Sequence, residues 1–226
     1  DLQLVLEKLN VQLYRYFLLK TRKISNKIKA LYITPLRALN RDIFKRIINY
    51  AENEELKIEI RHGDTSQANR KRIADSPPDI LITTPETLVN LLSQKKHLEA
   101  LSDLEWVIID EVHELLASER GSQLSLSLER LQVNTKNEIH RIGLSATVGN
   151  PDEAGRFLVG SERKFRLIHD TSLRTYDVDV VFVDGIMDDV AVEIIQYVKK
   201  QQITSPVLLF TNSRGESERL SSILKQ

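Results

Sequence analysis

Apolar residues along this chain recur with two different periods. Short runs rich in β-branched residues occur at 30–34 (ALYIT), 56–61 (LKIEIR), 79–84 (DILITT), 106–110 (WVIID) and 140–145 (HRIGLS), and runs of that length bounded by turn residues predict strands. Four of the five are apolar at consecutive positions, which predicts strands buried on both faces inside a sheet. LKIEIR alternates and is expected nearer an edge. Between the runs, helical spacing predicts helices over 11–23, 36–52, 66–74, 86–93 and 119–133. In 36–52, Leu39, Ile43, Ile47 and Ile48 recur at near-helical intervals while Arg37, Arg41, Lys45 and Arg46 take other faces, so the apolar stripe goes to the sheet and the cations to solvent. Strands alternating with helices predict an α/β fold: a mostly parallel sheet with helices on both faces.

Past Asn150-Pro151 the pattern changes. A short helix over 152–159 ends at Gly160, and 161–164 marks a boundary. Two apolar runs follow, 165–168 and 178–183, then an amphipathic helix carrying Val190, Ile194, Tyr197 and Val198, a strand over 206–211 and a helix over 216–224. Two domains are expected, 1–164 and 165–226. The second holds too few strands for a finished sheet.

Composition narrows the chemistry. With 41% hydrophobic and 28% charged residues over 226 positions, the chain is neither disordered nor of low complexity. No apolar stretch approaches the roughly 18 residues that span a bilayer, and no basic-then-apolar signal pattern opens the chain, so a soluble intracellular protein without a membrane partner is expected. The absence of cysteine removes disulfides, thiolate metal sites and cysteine nucleophiles, and the five histidines show no metal-ligand spacing. The zero net charge hides segregation. Residues 1–50 carry 11 Lys and Arg against 3 Asp and Glu, whereas residues 51–118 carry 7 against 14. Such blocks are commonly solvated helix faces, and they inform only if motifs in the basic third point at phosphates.

The strongest local signal is Asp110-Glu111-Val112-His113 closing the run WVIID. A buried parallel strand ending in two carboxylates places them at the carboxyl edge of the sheet, where open α/β folds bind ligands. Acids there call for a compensating cation; a hydrated Mg²⁺ held by Asp110 and a water activated by Glu111 is one use of the pair. The plain alternative is an acidic pair at the positive end of a helix. Thr34-Pro35 and Thr84-Pro85-Glu86 each follow a strand and open a helix, offering a hydroxyl and free backbone N–H groups as a phosphate seat, or simply an N-cap with proline at the first helical position. Two such turns, one backed by Arg37 and Arg41, fit a groove that tracks a nucleic-acid backbone. Ser145 and Thr147 flank an alanine after the fifth strand, where their hydroxyls can reach the Asp110–His113 segment or act as caps. Arg61-His62-Gly63-Asp64-Thr65 is compatible with a turn alone.

In order, TPLRAL, HGDT, TPET, DEVH, SAT and FTNSR resemble motifs Ia, Ic, Ib, II, III and IV of superfamily 2 helicases. ALYITPLRALNRD, DILITTPETL, DEVHEL, RGSQLSLSLERL and IGLSATVGNP are similar to the large helicase-related (Lhr) group. The likeness runs from Val11 onward, and six ordered motifs are far more specific than any one. It implies a RecA-like first domain and the beginning of a second, with ATP and Mg²⁺ as cofactors. It implies that Asp110 holds the metal, that Glu111 polarises the attacking water, and that His113, Ser145 and Thr147 couple the nucleotide site to the strand. Thr34, Pro35, Arg37, Arg41, Gly63, Asp64, Thr65, Thr84, Pro85 and Glu86 are implied to line the strand groove. Thr211, Asn212, Ser213 and Arg214 are implied to bind the same strand from the second domain. The implied partner is nucleic acid, single-stranded or tailed DNA in preference to RNA, engaged by a monomer in the prokaryotic cytoplasm.

The departure from that family concerns the phosphates. A P-loop needs glycines, and the first glycine here is Gly63, so the 226 residues contain no GxxxxGK[ST] segment ahead of Val11 and by themselves are not expected to hydrolyse ATP. Two readings follow: part of an ATP-dependent helicase or translocase competent in a longer polypeptide, and a catalytically silent module that grips single strands.

Overall fold

The computed structural model describes residues 26–35, 56–145, 149–168, 182, 185, 187–205 and 207–224. The expected helices 11–23 and 36–52, most of the run 178–183, and Arg37, Arg41 and Thr147 lie outside the described residues. The chain divides into two compact units, 1–169 and 170–226.

Among the described residues of the first unit five strands form: β1 (Ala30–Ile33), β2 (Ile58–Arg61), β3 (Ile80–Thr83), β4 (Trp106–Ile109) and β5 (His140–Gly143). All pair in parallel, in the order β2-β3-β1-β4-β5. Consecutive side chains alternate between faces. Leu31, Ile33, Leu81, Val107 and Ile109 enter one cluster, while Ala30, Tyr32, Ile80, Ile82 and Ile108 enter the other. Both faces are therefore apolar and buried, which is why these strands read as continuous hydrophobic runs. Among the described residues the alternating strand β2 has one neighbour, β3, and so lies at an edge, as its pattern predicts. β5 differs from its expectation as an interior strand: among the described residues it has one neighbour, β4, and His140 and Gly143 are exposed.

Parallel strands need crossovers, and helices supply them. α1 (Gln67–Asp75), α2 (Pro85–Leu92) and α3 (Lys95–Ala100) lie between β2 and β4; α4 (Val112–Leu116) and α5 (Glu119–Asn134) join β4 to β5; α6 (Pro151–Val159) follows β5. Their starts are written in the sequence. Ser66, Thr84, Ser118 and Asn150 each accept a backbone N–H from the first turn of the helix they open, and proline occupies the first position of α2 and α6. Leu88, Leu91 and Leu92 of α2 and Leu124, Leu128 and Leu131 of α5 pack on the Leu31 face of the sheet. The two short helices α3 and α4 have no counterpart in the periodicity, because five or six residues are too few to show a stripe.

α4 and α5 meet unusually closely. Gly121, in the first turn of α5, lies against the last turn of α4, so that a Cβ there would overlap the Leu115 carbonyl oxygen and meet Phe157 Cε2 at 3.3 Å. Only the absence of a side chain lets the two backbones approach.

In the second unit, α7 (Met187–Lys200) buries Ala191, and α8 (Arg214–Ile223) buries Leu220. Of the strand expected over 206–211, residues 207–211 are described, and they are not in a strand. Residues 207–211 have no ladder partner among the described residues, and Leu208 and Phe210 are exposed; an apolar run becomes a strand only beside another strand. None of the described helices is long and apolar enough to cross a membrane.

Gly121→Ala tests the close approach. Where space allows, this exchange stabilises a helix by about 0.4–1 kcal/mol; here overpacking should cost about 1–3 kcal/mol and reverse the sign. Urea unfolding should show a lowered midpoint, and a raised one would mean that α4 yields freely.

Candidate functional site

The register aligns the carboxyl ends of all five strands. Arg61, Thr83, Ile33, Ile109 and Gly143 stand in one row across the sheet, so the residues immediately after them form the next: His62, Thr84, Thr34, Asp110 and Leu144. Backbone bonds continue the ladder into that row, from Thr34 N to Thr83 O (3.1 Å), Asp110 N to Ile33 O (2.8 Å) and Leu144 N to Ile109 O (2.8 Å). With neighbouring strands about 4.8 Å apart, Asp110 is one strand from Thr34 and two, about 10 Å, from Thr84. Motifs separated by more than a hundred residues in sequence therefore share one edge.

At the centre, Asp110 accepts the Tyr32 hydroxyl on Oδ2 (2.6 Å) and the Glu111 backbone N–H on Oδ1 (2.9 Å). The carboxylate is thereby fixed in orientation with lone pairs to spare. Glu111 has φ 50 and ψ 47, a left-handed conformation uncommon outside glycine, asparagine and aspartate. The chain turns sharply there, and α4 begins with Val112 N bonded to Leu144 O (3.0 Å). Burial first, and then the neighbouring Asp110 charge, push the Glu111 carboxyl above the ordinary glutamate range, with His113 working in the opposite direction. Glu111 Oε2 lies 3.4 Å from His113 Nδ1, and the same ring nitrogen lies 2.8 Å from Ser145 Oγ. The structure thus brings Asp110, Glu111, His113 and Ser145 together, all partly exposed. Among the described residues neither acid has a lysine or arginine partner.

These donors fit a magnesium ion. Mg²⁺ favours hard oxygen ligands and commonly takes only one or two carboxylates, filling the rest of its shell with water and phosphate. One oriented aspartate fits that habit. No group of three or more acidic or histidine side chains that could form a closed metal cage occurs among the described residues.

The hydroxyl turns lie on the other side of Asp110. Thr34, Pro35, Thr84 and Pro85 are buried, and the Thr84 hydroxyl is shared between Thr87 N (3.4 Å) and Thr87 Oγ1 (3.1 Å). Their threonines build the turns from inside; Glu86 projects from α2 and is exposed. The Gly63-Asp64 turn at the end of β2 is also exposed. Arg70 of α1 shapes it, donating to Thr65 O (2.7 Å) and to Gly63 O, while His62 N donates to Thr65 Oγ1 (2.9 Å). In the second unit, Thr211, Asn212, Ser213 and Arg214 form the start of α8: Ser213 Oγ accepts Glu216 N (3.2 Å) and Thr211 Oγ1 donates to Ser213 O (3.0 Å).

Three groups at this edge escaped the sequence reading. Tyr32 is one, though a signal existed: a buried tyrosine needs a partner for its hydroxyl, and Tyr32 pairs in register with Ile108, two residues before Asp110 and on the same face. Arg120 is the second. It donates to the Glu86 carboxylate through Nε and to Pro35 O through Nη2 (2.7 Å). Burial opposes ionisation of Glu86, yet Arg120, the Glu86 backbone and Thr84 together hold its carboxyl below the ordinary glutamate range. The third is Arg61 and His97, both buried, with Nη1 and Nε2 2.8 Å apart.

The match to known proteins is decisive at this point. The family model for the DEAD/DEAH box helicase covers residues 5–154. The chain belongs to the DEAD/DEAH box helicase family. Within it, the ATP-dependent helicase Lhr-Core of Sulfolobus acidocaldarius is 36% identical over 222 residues, 90% of this chain and 25% of that protein. The Lhr helicase/uracil glycosylase of Escherichia coli is 34% identical over 88% of this chain and 15% of that protein. Among solved structures, Mycobacterium smegmatis helicase Lhr, bound to ssDNA and AMP-PNP, matches with a TM-score of 0.72 at 34% identity, over 88% of this chain and 28% of that one. This DEAD/DEAH chain has a RecA-like fold and spans about a quarter of the length of its Lhr relatives from archaea.

The buried pair at the edge gives the DEAD/DEAH chain a pH dependence. Burial, then the Arg61 and Lys96 charges, hold His97 down to about 4, against 6.5 for an unperturbed histidine. The fold favours neutral His97, so its contribution is complete above pH 6.5 and is lost as pH falls toward and through 4. From this group alone, unfolding free energy should be about 2 kcal/mol lower at pH 5 than at pH 7.5. His97→Gln, which keeps an acceptor for Arg61, should flatten that part of the profile; an unchanged slope would assign the sensitivity to other groups.

Proposed function

We propose that this chain is part of an ATP-dependent nucleic-acid translocase that moves along a single DNA strand and separates duplex by doing so. The observation that carries the proposal is the oriented Asp110–Glu111 pair, partly exposed, without a lysine or arginine partner among the described residues, and with Asp110 in one row with the hydroxyl turns. Asp110 would hold the magnesium of the nucleotide, which when bound would supply neutralisation of the phosphate charge. Glu111, next to Asp110 and partly buried at the same edge, takes the proton of the attacking water. His113, in contact with both Glu111 and Ser145, reports the state of the acid to the turn after β5.

The opposite half of the row receives the strand. The exposed Gly63–Asp64 turn, Glu86 and the backbone of the two Thr-Pro turns form a surface that follows a backbone rather than reading bases. Thr211–Arg214, in the second unit, contact nucleic acid as well, and that unit begins a second RecA-like domain. The DNA preference draws support from the relative solved with ssDNA. We assign the activity to a longer monomeric polypeptide in the prokaryotic cytoplasm. The 226 residues alone, with no glycine before Gly63, are not expected to turn over ATP. The alternative is a silent strand-binding module, whose signature is strand affinity indifferent to nucleotide.

The test is strand-stimulated ATPase in the full-length protein. Glu111→Gln should lower kcat by at least about 100-fold while leaving single-strand affinity within about twofold, because it removes the base and no strand contact. A wild-type rate in that variant would end the motor reading; full-length wild-type protein that binds strands but never hydrolyses ATP would establish the silent module.

A further inference from the structure

From its two bonds we infer that Arg120 is a positioning residue that clamps the two Thr-Pro turns at a fixed separation and so sets the geometry of the strand surface. The inference rests on the proposed strand groove. Its physical basis is a single guanidinium bonded to two segments that are far apart in sequence. Nε donates to Glu86, at the start of α2 after β3, and Nη2 donates to the carbonyl of Pro35, after β1. β3 and β1 are adjacent strands, so these are neighbouring turns, and Arg120 ties one to the other from a third element, α5. A planar guanidinium is suited to this task because its donors diverge in one fixed plane; a lysine ammonium has no such geometry.

Arg120 is itself held by its neighbours. Ser118 caps α5 by accepting Gly121 N (3.1 Å), and Gly121 seats the first turn of α5 on the Leu115 carbonyl at the end of α4. α4 begins directly after Asp110 and Glu111. The clamp therefore stands on the same short helix that carries His113, and the Arg-Gly pair acts as a unit: glycine for the approach, arginine for the reach. The clamp also neutralises Glu86, which otherwise would turn an uncompensated negative charge toward a phosphate backbone.

Two roles for Arg120 give opposite results. The ion pair is partly exposed, with side chains 40% and 49% accessible, so its loss should move the melting temperature of the full-length protein by less than about 4 °C. If it clamps the turns, Arg120→Ala should weaken binding of a fluorescent single-stranded oligonucleotide by about tenfold or more, with the KM for ATP at saturating strand unchanged. Arg120→Lys should fail to restore binding, since charge without the fork cannot bridge both turns. Glu86→Gln should weaken binding too, and should add little in the Arg120→Ala background. If Arg120 instead touches phosphate directly, lysine restores most of the affinity and Glu86→Gln tightens binding by removing a repulsive charge; either result overturns the clamp. Wild-type affinity in Arg120→Ala overturns it while leaving the groove standing. No strand binding by the wild-type protein in low salt removes the groove and the clamp together.

Discussion

Parallel pairing in a common register is the constraint on which the site depends. Because β1 to β5 all run the same way and Arg61, Thr83, Ile33, Ile109 and Gly143 align across the sheet, whatever residue follows each strand must appear along one edge. Strand order then sorts the chemistry. The order β2-β3-β1-β4-β5 places three turns on one side of Asp110 and the Ser145 segment on the other. A single-residue slip of β4 would move Asp110 out of the row and turn its side chain to the opposite face. The apolar runs that fill both faces prevent that slip, so the hydrophobic core and the placement of the acids are one problem with one solution.

The acids are held by small means. Asp110 is oriented by one hydroxyl and one amide, and Glu111 adopts a left-handed backbone that separates its carboxyl from its neighbour's. Positive φ at a residue with a Cβ is unfavourable. Here the ladder bond from Leu144 N to Ile109 O and the bond from Val112 N to Leu144 O grip both sides of the turn and offset it. The same turn leaves both acids at the surface of the sheet edge without a lysine or arginine partner among the described residues. An arrangement that served stability alone would neutralise them, as Glu129 is neutralised by Arg163 and Arg141, which hold its carboxyl down at about 2.

Strand positions were legible because their signal is long-range in origin but local in form: a residue buried on both faces must be apolar wherever its partner lies. The helix starts were legible for the same reason, since serine, threonine or asparagine with a proline following satisfies orphan amides within three residues. The edge placement of β2 could be read from Glu59, which interrupts the run. That of β5 could not, because Ile142 and Leu144 look interior and only pairing decides how many neighbours a strand acquires. The extended segment 207–211 is the same lesson inverted: its apolar run is strand-like, yet no partner stands beside it among the described residues. The acid pair Asp110–Glu111 could be located by spacing alone, whereas Arg120 and His97 could not. Each acts through a contact 36 to 85 residues away, and no local pattern encodes such a contact.

Arginine usage explains why net charge says so little about this chain. Arg61 is buried against a neutral histidine, Arg70 caps two carbonyls of the 63–65 turn, Arg72 is paired with Glu59, Arg120 bridges a carbonyl and Glu86, and Arg141 bonds to Glu129 and two carbonyls. These cations act on the protein's own backbone and acids. They contribute shape to the sheet edge and little field beyond it, because a guanidinium already paired or desolvated projects weakly into solvent. A surface that follows a phosphate backbone by backbone amides and well-placed turns does not need a large excess of positive charge. It needs the turns to stay where the register put them, and that is work for which a buried or bridging arginine is better suited than an exposed one.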